Sequence, residues 1–225
     1  MKETKAFEVS SQHRPYAHFK CRKSADVCSC ISILKKGGVI VYPTDTVYAI
    51  GCNPYNENAL ERIFLIKDRN KNNPLPILAS TIKDIEKLVS LNKIARFLAN
   101  RYWPGALTII APLKDKKISS MVTANKLSLG VRIPNNKCAL VLLKQCKYLI
   151  GTSANKSGEA SFKSSSEIIS SLASFHGFDA LLDGGKVGTG LESTIVEISD
   201  NDAKVIREGA ITSEEIYTIL QTSTM

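Results

Sequence analysis

No apolar run in this 225-residue chain approaches the ~18–20 residues that a membrane-crossing helix requires. The opening stretch, MKETKAFEVSSQHRPYAHFKCRKS, has no apolar centre of the kind a secretory signal carries, and Glu3 and Glu8 do not suit an acid-poor transit peptide. A cytoplasmic protein without a membrane partner is therefore expected. Several signatures are also missing. Without G-x-x-x-x-G-K-[ST] there is no P-loop, and without G-x-G-x-x-G there is no dinucleotide fingerprint. G-x-S-x-G and H-E-x-x-H are absent as well. Histidine is scarce, with three in the chain and His13 and His18 both near the N-terminus, so a Ser-His-Asp triad is not expected. The six cysteines, Cys21, Cys28, Cys30, Cys52, Cys138 and Cys146, form no C-x-x-C pair. They are expected to be free thiols in a reducing compartment, and no metal site is assigned to the His13, His18, Cys21, Cys28, Cys30 cluster.

Hydrophobic residues make up 44% of the chain and charged residues 23%, which suits a globular domain able to bury a core without a metal or disulfide staple. The net charge of +9 favours polyanionic partners. Much of that excess is dispersed, as in KDRNKNN (67–73) and KDKK (114–117), where lysines keep a surface solvated, so charge by itself names no partner.

Residues 1–23 lack sustained apolar periodicity and are expected to form a mobile tail, followed by a single domain over 24–225. SADVCSCISILKKGG reads as a helix with an N-cap serine, helical apolar spacing and a glycine stop. VIVYP follows as a buried strand. NENALERIFLIK is helical, with Leu60, Ile63, Phe64 and Lys67 on one face, which places the Lys67 ammonium at the end of an apolar stripe. LPILA, LTIIAPL, LGVRIP, YLIGT and DALLD read as strands, and STIVEIS and KVIRE as a hairpin. Thr81-x-x-Asp84, Ser164-x-x-Glu167 and Thr212-x-x-Glu215 open helices. KIARFLANRYW is helical up to Pro104-Gly105, and KCALVLLKQC is a further helix. No period recurs, which excludes repeat architectures. The pattern predicts an α/β fold, one twisted mixed β-sheet with helices packed against it.

Polar clusters sit just past the apolar segments: Thr44-Asp45-Thr46, KDRNKNNPL (67–75), WPGALT (103–108), Arg132 within LGVRIP, GTSANKSG (151–158), ESTIV (192–196) and IREG (206–209). Arg132 and Arg207 at strand positions ask for anionic partners, either an Asp or Glu of the same sheet or a bound ligand. Together Lys67, Arg69, Arg132 and Arg207 have the charge to neutralise a triphosphate and a carboxylate. TSANKSG offers hydroxyls and backbone N–H groups to phosphate or ribose. GGKVGTG (184–190) carries the G-x-x-G spacing of a KH-type RNA loop, but a strand precedes it where that module needs a helix.

YPTDTVYAIG, KDR…NPL, WPGALT, VRIP, TSANKSG, ESTIV and REG, in that order, resemble the Sua5/YrdC/TsaC family of threonylcarbamoyl-AMP synthases from about residue 27 onward. The resemblance implies a YrdC-like fold with a basic concave cavity. It also implies condensation of L-threonine, bicarbonate or CO2, and ATP to threonylcarbamoyl-AMP and pyrophosphate. Mg²⁺ would accompany ATP, and the product would pass to a threonylcarbamoyl transferase complex for t6A37 modification of ANN-decoding tRNAs. The implied catalytic residues are Lys67, Arg69, Ser153 and Asn155. The implied ATP contacts are Arg69, Asn73, Ser128, Ser153, Ser161 and Arg207, and the implied threonine contacts are Thr46, Arg132, Gly151 and Ser193. Four positions depart from the family pattern, two of them mildly: Ala106 in WPGALT and Glu208 in REG each stand where many members carry a proline. Ala49 replaces a glycine, and Leu78 stands where many members carry a histidine that touches threonine. The extra C-terminal domain of the longer Sua5 branch has no counterpart, so the chain resembles the short, single-domain type.

On this reading threonine pairs its carboxylate with Arg132, its polar groups meet Thr46 and Ser193, and its carbamate attacks the α-phosphorus of ATP. Lys67 and Arg69 neutralise the developing charge, and the 153–163 loop serves as a lid. Asp45 braces the loop that presents Thr46. The competing reading is a non-enzymatic double-stranded RNA- or tRNA-binding, translation-associated protein, for which a basic surface suffices. RNA binders need exposed aromatics or basic stripes, whereas cations grouped with small hydroxyl residues at strand ends fit a small-molecule pocket better. A second competitor, the multidomain hydrogenase-maturation carbamoylating enzymes, would bring zinc-finger and acylphosphatase segments that this chain lacks.

Overall fold

The computed structural model describes residues 16–188, 190–199 and 202–222. Its strands form two sheets where one was expected. The first is five-stranded, in the order β1 (Ala17–Lys20), β9 (Ala180–Asp183), β2 (Ile40–Pro43), β3 (Tyr48–Gly51), β8 (Thr152–Ser153). The second is six-stranded, in the order β11 (Ala203–Arg207), β10 (Thr194–Ile198), β5 (Leu107–Pro112), β6 (Ser128–Arg132), β4 (Ile77–Leu78), β7 (Leu149–Ile150). Both sheets mix parallel and antiparallel pairs.

The division into two sheets has a local cause at Gly151. The segment read as one strand, YLIGT, gives β7 to the second sheet and, one residue later, β8 to the first. Gly151 donates its N–H to Pro76 O (3.0 Å), and a Cβ there would lie 2.3 Å from Leu78 Cγ. Gly51 is equally constrained, because a Cβ on it would lie 1.9 Å from Ile150 O. The sheets approach each other where these two glycines leave room.

β2 is buried along its whole length, and its alternation divides two apolar clusters. Val39 and Val41 join Ile50, Leu60, Ile63, Ile77, Ile109 and Val131 in the larger core. Ile40 and Tyr42 join Val27, Ile31 and Leu34 of α1 (Ser24–Lys35) and Leu142 and Leu143 of α6 (Lys137–Cys146). α2 (Glu57–Lys67) is capped by Asn56, which accepts the Ala59 N–H, and buries Ala59, Leu60, Ile63, Phe64 and Lys67, as its spacing predicts. Thr81 caps α3 (Ile82–Leu88), Ser164 caps α7 (Ser165–Ser170), and Thr212 Oγ1 accepts the Glu215 N–H at the start of α8 (Ser213–Thr222). α4 (Lys93–Tyr102) ends just before the cis Trp103–Pro104 bond.

Three local expectations are corrected. Ser24 is the first helical residue of α1 and not its cap; Lys23 holds that position with no side-chain bond, while Asp26 Oδ2 accepts the Lys20 N–H (2.8 Å). The tail expected over 1–23 is partly structured, because Ala17–Lys20 pairs in parallel with β9; residues 1–15, including His13, lie outside the described residues. Cys21 and Cys138, expected to be free, form a disulfide across 117 residues, their Cα atoms 5.8 Å apart. The pairing of β1 with β9 and the packing of α6 on α1 bring together two thiols that no local spacing connects. Cys28, Cys30, Cys52 and Cys146 are free.

Asp183 anchors the β1 edge. Its Oδ1 accepts Ser165 Oγ (2.7 Å) and Gly185 N–H (2.8 Å), and its Oδ2 accepts Lys20 Nζ (2.6 Å) and lies 3.2 Å from His18 Nε2. Burial would raise its pKa, but these bonds outweigh burial and hold the carboxyl well below the usual carboxylate range. A depressed folded-state pKa stabilises the fold above the unfolded value, and that stability is lost as pH falls through the folded value. Asp183→Asn is expected to lose about 2 kcal/mol at neutral pH, with the gap to wild type narrowing below about pH 4. Paired chemical denaturation at pH 7 and pH 3 checks both.

Candidate active site

A cavity of about 520 Å³ opens between the two sheets, lined by residues of β3, β4, β5, β6, β8 and β10 and by the loops after α2 and β8. Lys67 enters it from the end of α2. The residue is 1% exposed, and its ammonium donates to Ser153 O (2.5 Å) and Asn155 O (2.7 Å), with Asn155 Oδ1 at 3.5 Å. The Ser157 N–H returns a bond to Lys67 O (2.8 Å). An ammonium has three N–H donors, so Lys67 is committed to the TSANKSG loop. Burial, reinforced by the neighbouring Arg69 charge and opposed by Glu192, lowers its pKa to about 8.

Arg69 follows the left-handed residue Asp68, donating from Nε to Asn73 O (3.2 Å) and from Nη2 to Pro74 O (2.9 Å). Its pKa is lowered, chiefly by burial and further by Arg207, while Glu192 opposes the shift. Both cations therefore rest on neutral carbonyls, and among the described residues neither forms a direct ion pair.

Arg132 and Arg207 differ from those two. Arg132, on β6, is buried; it donates from Nε to Gly105 O (2.8 Å), from Nη1 to Thr46 Oγ1 (3.1 Å) and from Nη2 to Asp45 Oδ1 (2.6 Å). Burial lowers its pKa and Asp45 opposes the shift. Gly105 is held by its own N–H to Ile133 O (2.8 Å), so the WPG turn serves as one wall of the arginine's seat. Arg207 is corrected from the expected burial. It lies on the edge strand β11 with its side chain 42% exposed, pairs with a Glu192 carboxylate oxygen, and donates to Ser193 O (2.7 Å). Both arginines thus have internal carboxylate partners.

The Thr44-Asp45-Thr46 turn is internally braced. Thr44 Oγ1 donates to Val47 O (2.6 Å), lies 3.0 Å from Thr46 Oγ1, and accepts the Thr46 N–H (3.2 Å). Thr44 and Thr46 line the cavity, whereas Asp45 does not, its carboxylate being engaged by Arg132. The glycine-rich loop packs behind this turn: a Cβ on Gly188 would lie 2.3 Å from Thr46 O.

Eleven of the twelve expected site residues line this one cavity: Thr46, Lys67, Arg69, Asn73, Ser128, Arg132, Gly151, Ser153, Asn155, Ser193 and Arg207. Ser161 is the exception and reaches the site only through Glu192, to which its Oγ donates (2.7 Å). Ala49 and Leu78 also line the cavity, and Leu78 packs over Gly151. Sequence reasoning missed Glu192 and Thr108. Thr108 Oγ1 lies 2.8 Å from Ser193 Oγ; Thr108 and Glu192 sit inside WPGALT and ESTIV, where a strand threonine and a carboxylate carry no signal of anion binding.

Five cations (Lys67, Arg69, Lys126, Arg132, Arg207) and three carboxylates (Glu159, Glu192, Glu197) line the wall. Among the described residues no three His, Cys, Asp or Glu side chains converge as a metal site. The donor set suits a divalent cation that arrives on phosphate oxygens, with carboxylates and serine hydroxyls nearby to complete its shell. Among the described residues no helix is long and apolar enough to cross a membrane.

The chain is similar to proteins of known name. The threonylcarbamoyl-AMP synthase of Bacillus subtilis is 33% identical over 196 residues, covering 86% of this chain and 56% of that one. The structure of Pyrococcus abyssi Sua5 complexed with L-threonine matches with a TM-score of 0.84 at 29% identity, over 91% of this chain and 60% of that one. Escherichia coli YciO matches with a TM-score of 0.77 at 27% identity, over 89% of this chain and 97% of that one. The chain spans about half the length of the first curated relatives it matches. The Sua5/YciO/YrdC family model, described as "Telomere recombination", covers residues 32–209. The chain belongs to that family.

Proposed function

We propose that the cavity condenses L-threonine, bicarbonate or CO2, and ATP to threonylcarbamoyl-AMP, releasing pyrophosphate. The product would go to a separate threonylcarbamoyl transferase complex, with t6A37 of ANN-decoding tRNAs as its destination. One observation carries the reading: the residue set expected for threonine and the set expected for ATP line a single cavity and meet where Arg207 contacts Ser193. The threonine bound in the P. abyssi Sua5 structure supports the amino-acid half.

A guanidinium has five N–H donors, and Gly105, Thr46 and Asp45 take one each. Two remain for the threonine carboxylate, on a side chain already oriented by its three fixed bonds. The neutral threonine amine adds to CO2 and gives up an N–H proton to solvent, and the resulting carbamate oxygen attacks the α-phosphorus as pyrophosphate leaves. No protein nucleophile takes part, so the chain's task is to hold two anions together and offset charge at phosphorus. Arg69 and Lys67, resting on carbonyls, retain the field for that. Lys67 acts as a positioning residue that fixes Ser153 and Asn155 and adds charge. Mg²⁺ would be held by phosphate oxygens and the serine hydroxyls, and would supply further charge neutralisation.

The first test is pyrophosphate release with threonine and bicarbonate omitted in turn. Dependence on both is expected; turnover indifferent to threonine, or no turnover alongside tight tRNA binding, would contradict the proposal. Thr46→Val, close in shape but lacking the hydroxyl, is expected to raise the KM for threonine about tenfold, while that for ATP stays within about threefold. Lys67→Ala should lower kcat about a hundredfold or more. Because the ammonium loses its proton as pH rises through about 8, kcat should fall above that pH. A rate that climbs steadily to pH 10 would remove Lys67 from the mechanism.

A further inference from the structure

One carboxylate sits among the groups expected to bind polyphosphate. Glu192 directly precedes Ser193 at the head of β10, on the cavity wall. Its Oε1 accepts Ser161 Oγ (2.7 Å) and its Oε2 is ion-paired with Arg207 Nη1. Burial would raise its pKa, but Arg207, Ser161, Ser153 and Lys67 together lower it, and Glu192 in turn opposes the lowering at Lys67 and Arg69. Every group holding this carboxylate ionised thus belongs to the expected ATP or catalytic set. Its main chain is fixed as well: Glu192 O accepts the Ala210 N–H (2.9 Å), and a Cβ on Gly209 would lie 2.2 Å from that oxygen.

We propose that Glu192 is an internal competitor for the polyphosphate subsite, so that triphosphate binds by exchanging with the Glu192 carboxylate on Arg207 and Ser161. The inference rests on the ATP reading above and adds a regulating residue to it. Three consequences follow from the geometry. Polyphosphate affinity is lower than five lining cations would otherwise give, because a fixed carboxylate opposes each phosphate that approaches Arg207. Ser161 lies on the segment between β8 and α7, so the same exchange frees that segment from β10 and lets its hydroxyl turn to phosphate. When pyrophosphate forms, the carboxylate is positioned to recover Arg207 and Ser161, which favours product release over a tightly held product complex.

The test is calorimetric binding of inorganic tripolyphosphate, ATP and AMP, without added metal, to the full chain and to Glu192→Gln and Glu192→Asp. Gln keeps an acceptor for Ser161 Oγ and removes the charge; Asp keeps the charge and draws it back by one methylene. Glu192→Gln is expected to bind tripolyphosphate about tenfold tighter than wild type, with AMP affinity within about twofold, and Glu192→Asp to lie between. If Glu192→Gln does not fold, Glu192→Asp carries the test, with at least about threefold tighter tripolyphosphate binding expected. Unchanged or weaker tripolyphosphate binding in the folded variants would overturn the proposal and make Glu192 a brace or a metal ligand. Tighter tripolyphosphate binding without ATP binding in any form would uphold the exchange and remove the nucleotide reading. ATP binding in every form, with neither ATP nor tripolyphosphate tightening in the variants, would do the reverse.

Discussion

The buried ammonium of Lys67 fixes the geometry of the cavity. It ends an apolar helical stripe and joins α2 to the segment that has just crossed between the sheets, through Ser153 O and Asn155 O. Without that cation Asn155 O would lose its ammonium donor and Ser153 O would keep the Asn155 N–H (3.1 Å), which leaves a buried backbone acceptor short of a donor at a cost. The crossing at Gly151, the position of Ser153 and the course of the 153–163 loop all follow from this contact and from the room that Gly51 and Gly151 leave. An apolar replacement would restore packing without restoring the donors.

The cavity's cations fall into two kinds by the company they keep. Lys67 and Arg69 are held by neutral carbonyls, so each is positioned without being neutralised. Arg132 and Arg207 are held by the carboxylates of Asp45 and Glu192. The first kind supplies a standing positive field, which suits charge gathering at phosphorus. The second kind gives oriented guanidinium groups with N–H donors to spare, which suits recognition of a carboxylate or phosphate by geometry. Asp45 is enclosed behind the Thr46 turn, so its pair with Arg132 is a fixed part of the site, whereas Glu192 stands on the cavity wall where a ligand can compete with it.

The polar clusters were legible because each interrupts an apolar run at a strand or helix end, where a buried hydroxyl or charge needs a reason to be present. Thr46, Lys67, Arg132 and Ser193 stand out in that way, and helical spacing alone placed Lys67 at the end of a buried stripe. What stayed hidden is non-local. The Cys21–Cys138 bridge depends on β1 pairing with β9 far along the chain, and four residues of β1 have too little pattern to betray a strand. The two-sheet division turns on a single residue, Gly151, in what reads as one continuous strand. Glu192 was overlooked because a carboxylate in an anion site runs against simple charge matching, and its role emerges only from its position between Ser161 and Arg207. Asp45 shows the same limit, since a bracing role was expected but not the arginine it braces.

The central claim is that one cavity joins threonine, inorganic carbon and the adenylate of ATP into a single molecule. Mass spectrometry of the reaction with ¹³C-bicarbonate and L-threonine tests it most directly. The account predicts an AMP adduct that contains threonine and shifts by one mass unit with the labelled carbon. Formation of AMP and pyrophosphate with no threonine-containing adduct, or an adduct that carries no label, would contradict it.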